Sequence, residues 1–363
     1  MSDAISPIID TNVQPHFRYN AEIRRYLPDA HQLRAIPDVE RQWYQAPGGD
    51  YRQDLYGEDY PGSDPETVAR HLFDDMGVTF AILNPSTRGN IADYLLNSRI
   101  CAAVNDWLVD RWLEPDNTDR YTSRFLGTIR VNPEDPKGAV AEIERLAGHP
   151  RLVQVGVPMQ SREPYGKPMF EPIWEAAAAH GLPVAVHING GNGVDYPPTF
   201  AGHAHTYPGY AAFMPLNYFV HLATLIIEGV FGRHPDLKFV FADGGYDILT
   251  PLMWRLDTFW LSMRDQTPWG DRYPSEYLPG HVRFCSSAFD GPLEDGKMQR
   301  WMDFTGKSDL LMYGSSYPHW STSEPDLTAT GLGDEQRDKV LWRNASELYG
   351  LAAKGLAAKE TLK

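Results

Sequence analysis

The chain has 363 residues, of which 42% are hydrophobic, and it carries a formal net charge of −15 at pH 7. This length suits one large domain or two smaller ones, and the negative charge argues against nucleic acid or an anionic membrane surface as a partner. The two cysteines, Cys101 and Cys285, are too few for a disulfide framework or a cysteine metal site. Both lie in apolar runs, and we expect them in the core.

The N-terminal residues, Met-Ser-Asp-Ala, have neither the basic nor the apolar region of a signal peptide. No stretch reaches the roughly 18 consecutive apolar residues of a membrane span. Two cysteines without a framework suit a reducing compartment. We therefore expect a cytoplasmic protein that has no membrane partner.

Short apolar runs alternate with helical patterns along most of the chain. The predicted strands are Ile5–Asp10, Val78–Leu83, Phe125–Val131, Val153–Val157, Val184–His187, Phe239–Ala242, Val282–Phe284 and Leu310–Tyr313. The predicted helices between them include Ala92–Trp112, Pro136–Ala147, Phe170–His180 and Pro215–Phe231. This alternation predicts the α/β class and a parallel (β/α)8 TIM barrel.

Two segments exceed a minimal barrel. Residues 16–62 follow the first strand, residues 189–214 follow the fifth, and both are rich in Tyr, Pro and Gly. Long insertions of this kind are usually functional, and in a barrel both would lie on the C-terminal face. We expect residues 1–363 to form a single distorted barrel domain with these two insertions and a charged helical tail at 352–363.

The first strand carries Asp10, Asn12 and Gln14 at alternate positions. Alternate strand residues point to the same side, so an Asp-x-His-x-His sequence here would place two imidazoles together for Zn²⁺ or Fe²⁺. Amides stand at both histidine positions, and amides are poor ligands for such metals. Taken alone, the segment also fits ordinary loop residues after an apolar run.

Three further segments carry a family resemblance. They are Gly-Val-Phe-Gly-Arg-His-Pro-Asp-Leu-Lys within 221–239, Pro-Leu-Met-Trp-Arg-Leu-Asp at 251–257, and Gly-Ser-Ser-Tyr-Pro-His-Trp at 314–320. Together with the first strand they resemble the amidohydrolase superfamily, in its branch of metal-dependent decarboxylases and hydrolases of small carboxylic acids. The resemblance runs from about residue 5 to residue 351 and implies a distorted (β/α)8 barrel.

The resemblance implies metal ligands at the ends of the first, fifth, sixth and eighth strands. The corresponding positions in this chain are Asp10, Asn12, Gln14, His187, Asp243 and Ser316. His187 is the expected ligand type, Asp243 stands where His or Glu is usual, and Ser316 replaces an aspartate that binds the metal and orients water. Each ligand supplies part of the affinity, so these losses should abolish binding of the family type. We expect a vestigial site without a metal or catalytic residues, in which Asp243 bonds to His187 or to the two amides.

Two alternatives remain open. His203 and His205 have the spacing of a ligand pair and could join His187, Asp10 and Asp243 in a rebuilt mononuclear site of an active hydrolase or decarboxylase. A hard cation held by carboxylate and amide oxygens would be a variant of that site. The second alternative is a protein that binds a small molecule in the emptied pocket.

A preserved barrel without its ligands favours a role in assembly. The resemblance implies a non-catalytic subunit that forms a hetero-oligomer with a ligand-complete paralogue, which would hold Fe, Mn or Zn. The complex would hydroxylate, hydrolyse or decarboxylate a small amino or carboxylic acid, and related two-subunit monooxygenases include 2-aminoisobutyrate hydroxylase. The aromatic-rich stretches Tyr207–Tyr218 and Trp254–Trp269 are candidate contact surfaces or plain core, while His319 and Trp320 would pack or contact another subunit.

Overall fold

Eight parallel strands form one sheet in the computed structural model, and each strand pairs with the next along the chain. The structure describes residues 6–19, 21–33, 49–56, 60–86, 91, 93–114, 121–188, 206–286, 296–327 and 331–352. The strands are β1 (Ile9–Val13), β2 (Phe80–Leu83), β3 (Phe125–Arg130), β4 (Leu152–Pro158), β5 (Val184–His187), β6 (Phe239–Phe241), β7 (Val282–Ser286) and β8 (Leu311–Tyr313). The loop after β8 returns to β1, where the Ser316 N–H donates to Asn12 O at 2.9 Å and the Gln14 N–H to Tyr317 O at 2.7 Å. The predicted (β/α)8 barrel is confirmed.

The helices surround the strands. They are α1 (Asp29–Gln32), α2 (Pro65–Ala69), α3 (Tyr94–Leu108), α4 (Pro136–Leu146), α5 (Glu171–Ala179), α6 (Tyr207–Phe213), α7 (Pro215–Ile227), α8 (Val230–Arg233), α9 (Tyr246–Met263), α10 (Leu278–His281), α11 (Lys297–Thr305), α12 (Asp334–Asp338) and α13 (Asn344–Leu348). Shorter 3-10 helices span Glu22–Tyr26, Gln53–Leu55, Thr122–Arg124, Pro168–Phe170, Arg264–Gln266, Pro274–Tyr277 and Lys307–Asp309. Single π-helical turns extend α2, α3 and α12, at Arg70–Asp75, Val109–Leu113 and Lys339–Arg343.

The predicted first strand, Ile5–Asp10, is wrong at both ends, since β1 begins at Ile9 and ends at Val13. Thr11 and Asn12 can lie within the strand because the barrel satisfies their side chains. For example, the buried Thr11 hydroxyl donates to Tyr313 O at 2.7 Å. The other seven predicted strands agree with the structure to within two residues at each end.

The predicted helix Pro215–Phe231 also differs from the structure. Helical structure begins earlier, at Tyr207, within a stretch that the composition predicts as a loop. It breaks at Gly229, whose φ of 76° favours glycine and where a Cβ atom would lie 2.3 Å from the Trp269 ring. Residues 189–205 of the same insertion and residues 353–363 of the predicted tail lie outside the described residues.

The run Tyr207–Ile227 is long and apolar enough to cross a membrane. An 18-residue window of this run has a mean hydropathy of 1.4, and 39% of that window is buried. The sequence analysis does not find it, because polar residues such as Asn217 and His221 interrupt the apolar run. In the barrel, Leu222 and Leu225 of this helix pack into the main hydrophobic core. It therefore serves as the core helix that follows β5.

Two layers fill the interior of the barrel. The lower layer is apolar and includes Phe80, Val240 and Met312 from the strands and Tyr349 and Leu351 from the C-terminal end of the described chain. A polar layer lies above it, where Gln154 Nε2 donates to Asn84 Oδ1 at 2.9 Å and to Thr128 Oγ1 at 2.8 Å. The prediction that Cys101 and Cys285 are core residues is confirmed, with 3% and 1% of their surfaces exposed.

Buried neutral histidines couple the stability of this fold to pH. His221 Nε2 donates to Met159 O at 2.7 Å, and its Nδ1 accepts the Tyr165 N–H at 3.2 Å. Burial lowers the pKa of His221 to about 4. Because the unfolded side chain binds a proton near pH 6.5, its contribution is present above that pH and is lost as the pH falls towards 4.

The wild-type protein should lose free energy of unfolding as the pH falls from 6.5 to 4.5. We predict that this loss is smaller in His221→Gln, by about 1.4 kcal/mol per pH unit. Urea unfolding across this pH range measures the slope. His180→Gln, on the exposed surface, is the matched control and should keep the wild-type slope. Equal slopes in the wild-type and His221→Gln proteins would contradict the coupling.

Candidate functional site

A cavity of about 160 Å³ opens at the mouth of the barrel, where the C-terminal ends of the strands meet. Its lining includes Gln14, His187, Asp243, Ser316, Tyr207, Tyr210 and His319. The first four come from positions that the sequence marks as vestigial ligands, so the structure brings them together. The tyrosines belong to α6 and His319 to the loop after β8.

Asn12 lies among the polar groups of the barrel mouth, and its side-chain amide makes four hydrogen bonds. Its Nδ2 donates to Asp243 Oδ1 at 2.7 Å and to Ser316 Oγ at 3.2 Å. Its Oδ1 accepts from Asn84 Nδ2 at 3.4 Å and lies 2.8 Å from His187 Nε2. An amide has two hydrogens and two lone pairs, so the hydrogen bonding of this group is complete.

Asp243 fixes the direction of the Asn12 amide. A carboxylate only accepts hydrogen bonds, so the Asn12 group beside Oδ1 must be the NH₂. The second carboxylate oxygen accepts from Tyr218 OH at 3.2 Å and from the Ile188 N–H at 3.4 Å. The backbone of Asp243 has a φ of 147°, a value that residues other than glycine rarely adopt. Strain of this kind persists where the surrounding contacts require it, often at functional sites.

Both ring nitrogens of His187 face acceptors. Nδ1 contacts the main-chain carbonyl of Ile188, which is the arrangement that orients metal-binding histidines in many proteins. Nε2 would then be the nitrogen that binds the metal, but it lies 2.8 Å from Asn12 Oδ1 and 3.6 Å from Asp243 Oδ2. Contact with an amide oxygen at 2.8 Å is a hydrogen bond only if the nitrogen carries a proton, so we assign the proton to Nε2.

Burial lowers the pKa of His187, although the Asp243 carboxylate opposes this shift. The ring is therefore neutral at pH 7, with one proton for its two acceptors. We assign that proton to Nε2, which has two oxygens nearby, and the contact of Nδ1 with the Ile188 carbonyl is then not a hydrogen bond. Burial likewise lowers the pKa of His319 to about 4, so this second histidine of the cavity is neutral too.

Asp10 lies beneath the cavity and does not line it. It is fully buried, and its Oδ1 accepts the main-chain N–H groups of Asn12 at 3.1 Å and Ser315 at 2.9 Å. Burial raises the pKa of Asp10, against the opposing effect of the hydrogen bonds from Ser315 and Asn12. Asn12 and Gln14 both reach His187, and the pairing register of β1 with β2 shifts between Asp10 and Val13.

Close approach of β1 and the segment after β8 allows the Asn12 contacts to form. A Cβ atom on Gly314 would lie 2.8 Å from the Asn12 Cβ, so only glycine fits there without a shift. Ser316 has a φ of 58°, which turns the chain so that its hydroxyl meets Asn12. Gln14 reaches the same region, with its Nε2 at 3.5 Å from His187 Nε2.

A chain of amide hydrogen bonds runs from the bottom of the barrel to this site. Tyr349 OH donates to Gln154 Oε1 at 2.8 Å, Gln154 Nε2 donates to Asn84 Oδ1, and Asn84 Nδ2 donates to Asn12 Oδ1. Every donor points towards Asp243, which accepts at the end of the chain. Asn84 Nδ2 also donates to the Thr11 main-chain carbonyl at 3.1 Å, so that carbonyl and the Asp243 carboxylate favour the same direction along the chain.

A metal ion of the family type does not fit these residues. The NH₂ group of Asn12 points at Asp243 and Ser316, and Nε2 of His187 has no lone pair to offer when it carries a proton. Over the ranges that the structure describes, no three His, Cys, Asp or Glu side chains lie close enough to hold a metal ion. His203 and His205, on which the rebuilt site depends, lie outside the described residues.

The sequence analysis misses several residues of this site, above all Asn84, Tyr207, Tyr210 and Tyr218. Asn84 directly follows β2, and residues that directly follow barrel strands lie at the mouth, so its position is a usable signal. The tyrosines give no such signal, because they reach the site through the fold of α6 and α7. Trp320 is 46% exposed and its ring lies 5.8 Å from Tyr207, whereas His319 lines the cavity.

We predict that Asn12→His alone does not create a zinc site, because the carboxylate from β8 is still missing. Asn12→His, Gln14→His and Ser316→Asp together should bind close to one equivalent of Zn²⁺, since three histidines and an aspartate then face one point. Aspartate also tolerates the backbone of position 316. Metal analysis after dialysis against Zn²⁺ measures the outcome, with circular dichroism to confirm folding.

The control for this prediction is the triple variant that also carries His187→Ala, which should lose the zinc. The prediction would be wrong if the wild-type chain or Asn12→His alone held one equivalent of zinc and His187→Ala removed it.

Comparison with known proteins shows which family this chain resembles. Residues 29–351 match the family described as Amidohydrolase, a range that begins after β1. No curated protein sequence matches the chain. An amidohydrolase from Mycobacterium avium subsp. paratuberculosis K-10 has a similar structure, with a TM-score of 0.72 and 21% identity over 95% of this chain and 100% of that one.

Decarboxylases also share the fold. A 5-carboxyvanillate decarboxylase from Novosphingobium aromaticivorans DSM 12444, solved with manganese, has a TM-score of 0.69 and 19% identity over 97% of this chain and 98% of that one. A 2,6-dihydroxybenzoate decarboxylase from Rhizobium has a TM-score of 0.64 and 17% identity over 96% of this chain and 100% of that one. These identities show a common fold, and the match over residues 29–351 shows that the chain belongs to the amidohydrolase family.

Proposed function

We propose that this chain is a ligand-depleted amidohydrolase-fold subunit that assembles with a ligand-complete paralogue. The complex would be a metal-dependent enzyme that hydroxylates, hydrolyses or decarboxylates a small amino or carboxylic acid. The observation that carries the proposal is the amide of Asn12, which bonds at once to the side chains at the ends of β5, β6 and β8. Those are the strand ends from which the family pattern draws its ligands.

This network lets the barrel mouth remain folded without a metal. All four hydrogen-bonding positions of the Asn12 amide are used, and its partners Asp243 and Asn84 have further partners of their own. Leaving one buried polar group unsatisfied would cost about 1–3 kcal/mol. The ligand-free mouth is therefore a well-bonded structure in its own right, as a subunit with an assembly role requires.

The outer surface of α9 supports an assembly role. Trp254, Phe259, Leu261 and Met263 are each about half exposed, at 47%, 49%, 55% and 51%. Phe259 and Met263 also line an apolar groove between α7 and α9, with a volume of about 130 Å³. Exposed apolar surface of this kind, rich in aromatic side chains and Met, is typical of protein interfaces. We call these four residues the α9 patch.

A second group of exposed apolar residues lies on the helix pair α6 and α7 and in the loop after β8. Phe213, Leu216 and Trp320 are 44%, 38% and 46% exposed. This group and the α9 patch fall within or beside the two stretches that the sequence marks as candidate contacts. Met214 and Tyr218 in the first stretch are buried, and Leu256 in the second packs against the core, so each stretch contributes to the core as well.

The partner would supply the metal. A manganese-containing decarboxylase is among the similar structures, and Fe, Mn and Zn are the metals that a complete Asp-x-His-x-His site would hold. The substrate would then react at the partner's site, beside a cytoplasmic subunit that binds no metal itself.

Co-expression tests the proposal. A paralogue from the same genome whose first strand reads Asp-x-His-x-His should co-purify with the tagged chain, and the complex should hold the metal content of the paralogue. Phe259→Glu with Met263→Glu should weaken this association at least tenfold, because two charges would be buried in an apolar contact.

Leu95→Glu is the matched control for that experiment. Leu95 is 59% exposed on α3, which follows β2 and so lies across the barrel from α9, which follows β6. It should leave the association unchanged. An isolated chain that forms a monodisperse homo-oligomer, holds its own metal and is active alone would overturn the proposal.

A further inference from the structure

The cavity at the barrel mouth is lined by one acidic side chain and by several aromatic ones. Among its described lining residues, Asp243 is the only one of type Asp, Glu, Lys or Arg. The two histidines do not offset this charge, because burial lowers the pKa of both His187 and His319. The described walls therefore present one carboxylate and no cationic side chain.

Asp243 is reachable from the cavity. Its side chain is 13% exposed, and its Oδ2 lies 3.6 Å from Nε2 of the neutral His187 ring. The hydrogen bonds to its Oδ2 are long, at 3.2 Å from Tyr218 and 3.4 Å from the Ile188 N–H. A carboxylate oxygen with such long bonds can accept another donor from a ligand.

Aromatic rings also line the cavity. Tyr207 and Tyr210 lie one turn apart on α6, with ring centroids 6.1 Å apart. Trp320 Nε1 donates to Tyr207 OH at 3.3 Å, which holds that ring in place. Aromatic faces attract organic cations and also bury their apolar parts.

We propose that this cavity binds a small organic ammonium ion, with its cationic head beside Asp243 and its body against Tyr207 and Tyr210. The volume of about 160 Å³ sets the size, because a cavity of roughly 150 Å³ holds a molecule as large as benzene. A carboxylate in the same place would be repelled by Asp243. The binding would be a property of this chain alone, beyond its proposed role in assembly.

Isothermal titration of the full chain with three probes of similar shape tests the charge preference. Cyclopentylammonium should bind at least about tenfold more tightly than cyclopentanecarboxylate, with cyclopentanol between them. The inference is overturned if the carboxylate binds as tightly as the ammonium ion, or if the ammonium ion shows no binding at millimolar concentration.

Variants assign the binding to this cavity. Asp243→Asn should remove the preference for the ammonium ion, and Asp236→Asn, an exposed change of the same charge before β6, should leave it intact. Because Asp243→Asn also alters the Asn12 network, Tyr207→Leu provides a second test and should weaken ammonium binding several-fold. Unchanged ammonium binding in both Asp243→Asn and Tyr207→Leu would overturn the assignment.

Discussion

The hydrogen bond from the Asn12 amide to the Asp243 carboxylate determines most of what this site can do. Because the carboxylate only accepts, the 2.7 Å contact orients the amide and turns its oxygen towards His187 and Asn84. The oxygen lies 2.8 Å from His187 Nε2, to which we assign the proton of the neutral ring. Asn12 and His187 thus belong to one donor–acceptor chain.

A hydrogen-bond chain through the interior of the barrel ends at the same contact. Its first donor is Tyr349, near the C-terminal end of the described chain, and the amides of Gln154 and Asn84 continue it to Asn12. At the mouth, Asp10 and Gly314 hold β1 and the segment after β8 close enough for Asn12 to reach across. The Asn12 contacts therefore tie together the strand ends from which the family pattern draws its ligands. The remaining cavity has a negative charge and aromatic walls, which a carboxylic acid would not favour.

The sequence predicts the barrel because burial on both sides of a parallel strand leaves a clear apolar run, as in Val184–His187, where prediction and structure agree. The family resemblance places Gln14, His187, Asp243 and Ser316 at strand ends, and all four line one cavity in the structure. The prediction fails at the bounds of β1, because contacts from distant parts of the barrel hold the polar residues Thr11 and Asn12 in that strand. Gln154 and Tyr349 are 195 residues apart, and their bond follows from the closed fold and from no local pattern.

The protonation state of His187 tests the central claim most directly. In protein labelled with ¹⁵N at histidine, two-dimensional NMR separates protonated from unprotonated ring nitrogens, and the His187→Gln variant assigns the signal. We predict that Nε2 of His187 carries a proton at pH 7 and that the NMR signal of this nitrogen does not move when Zn²⁺ is added. An unprotonated Nε2 whose signal shifts on addition of Zn²⁺ would contradict it.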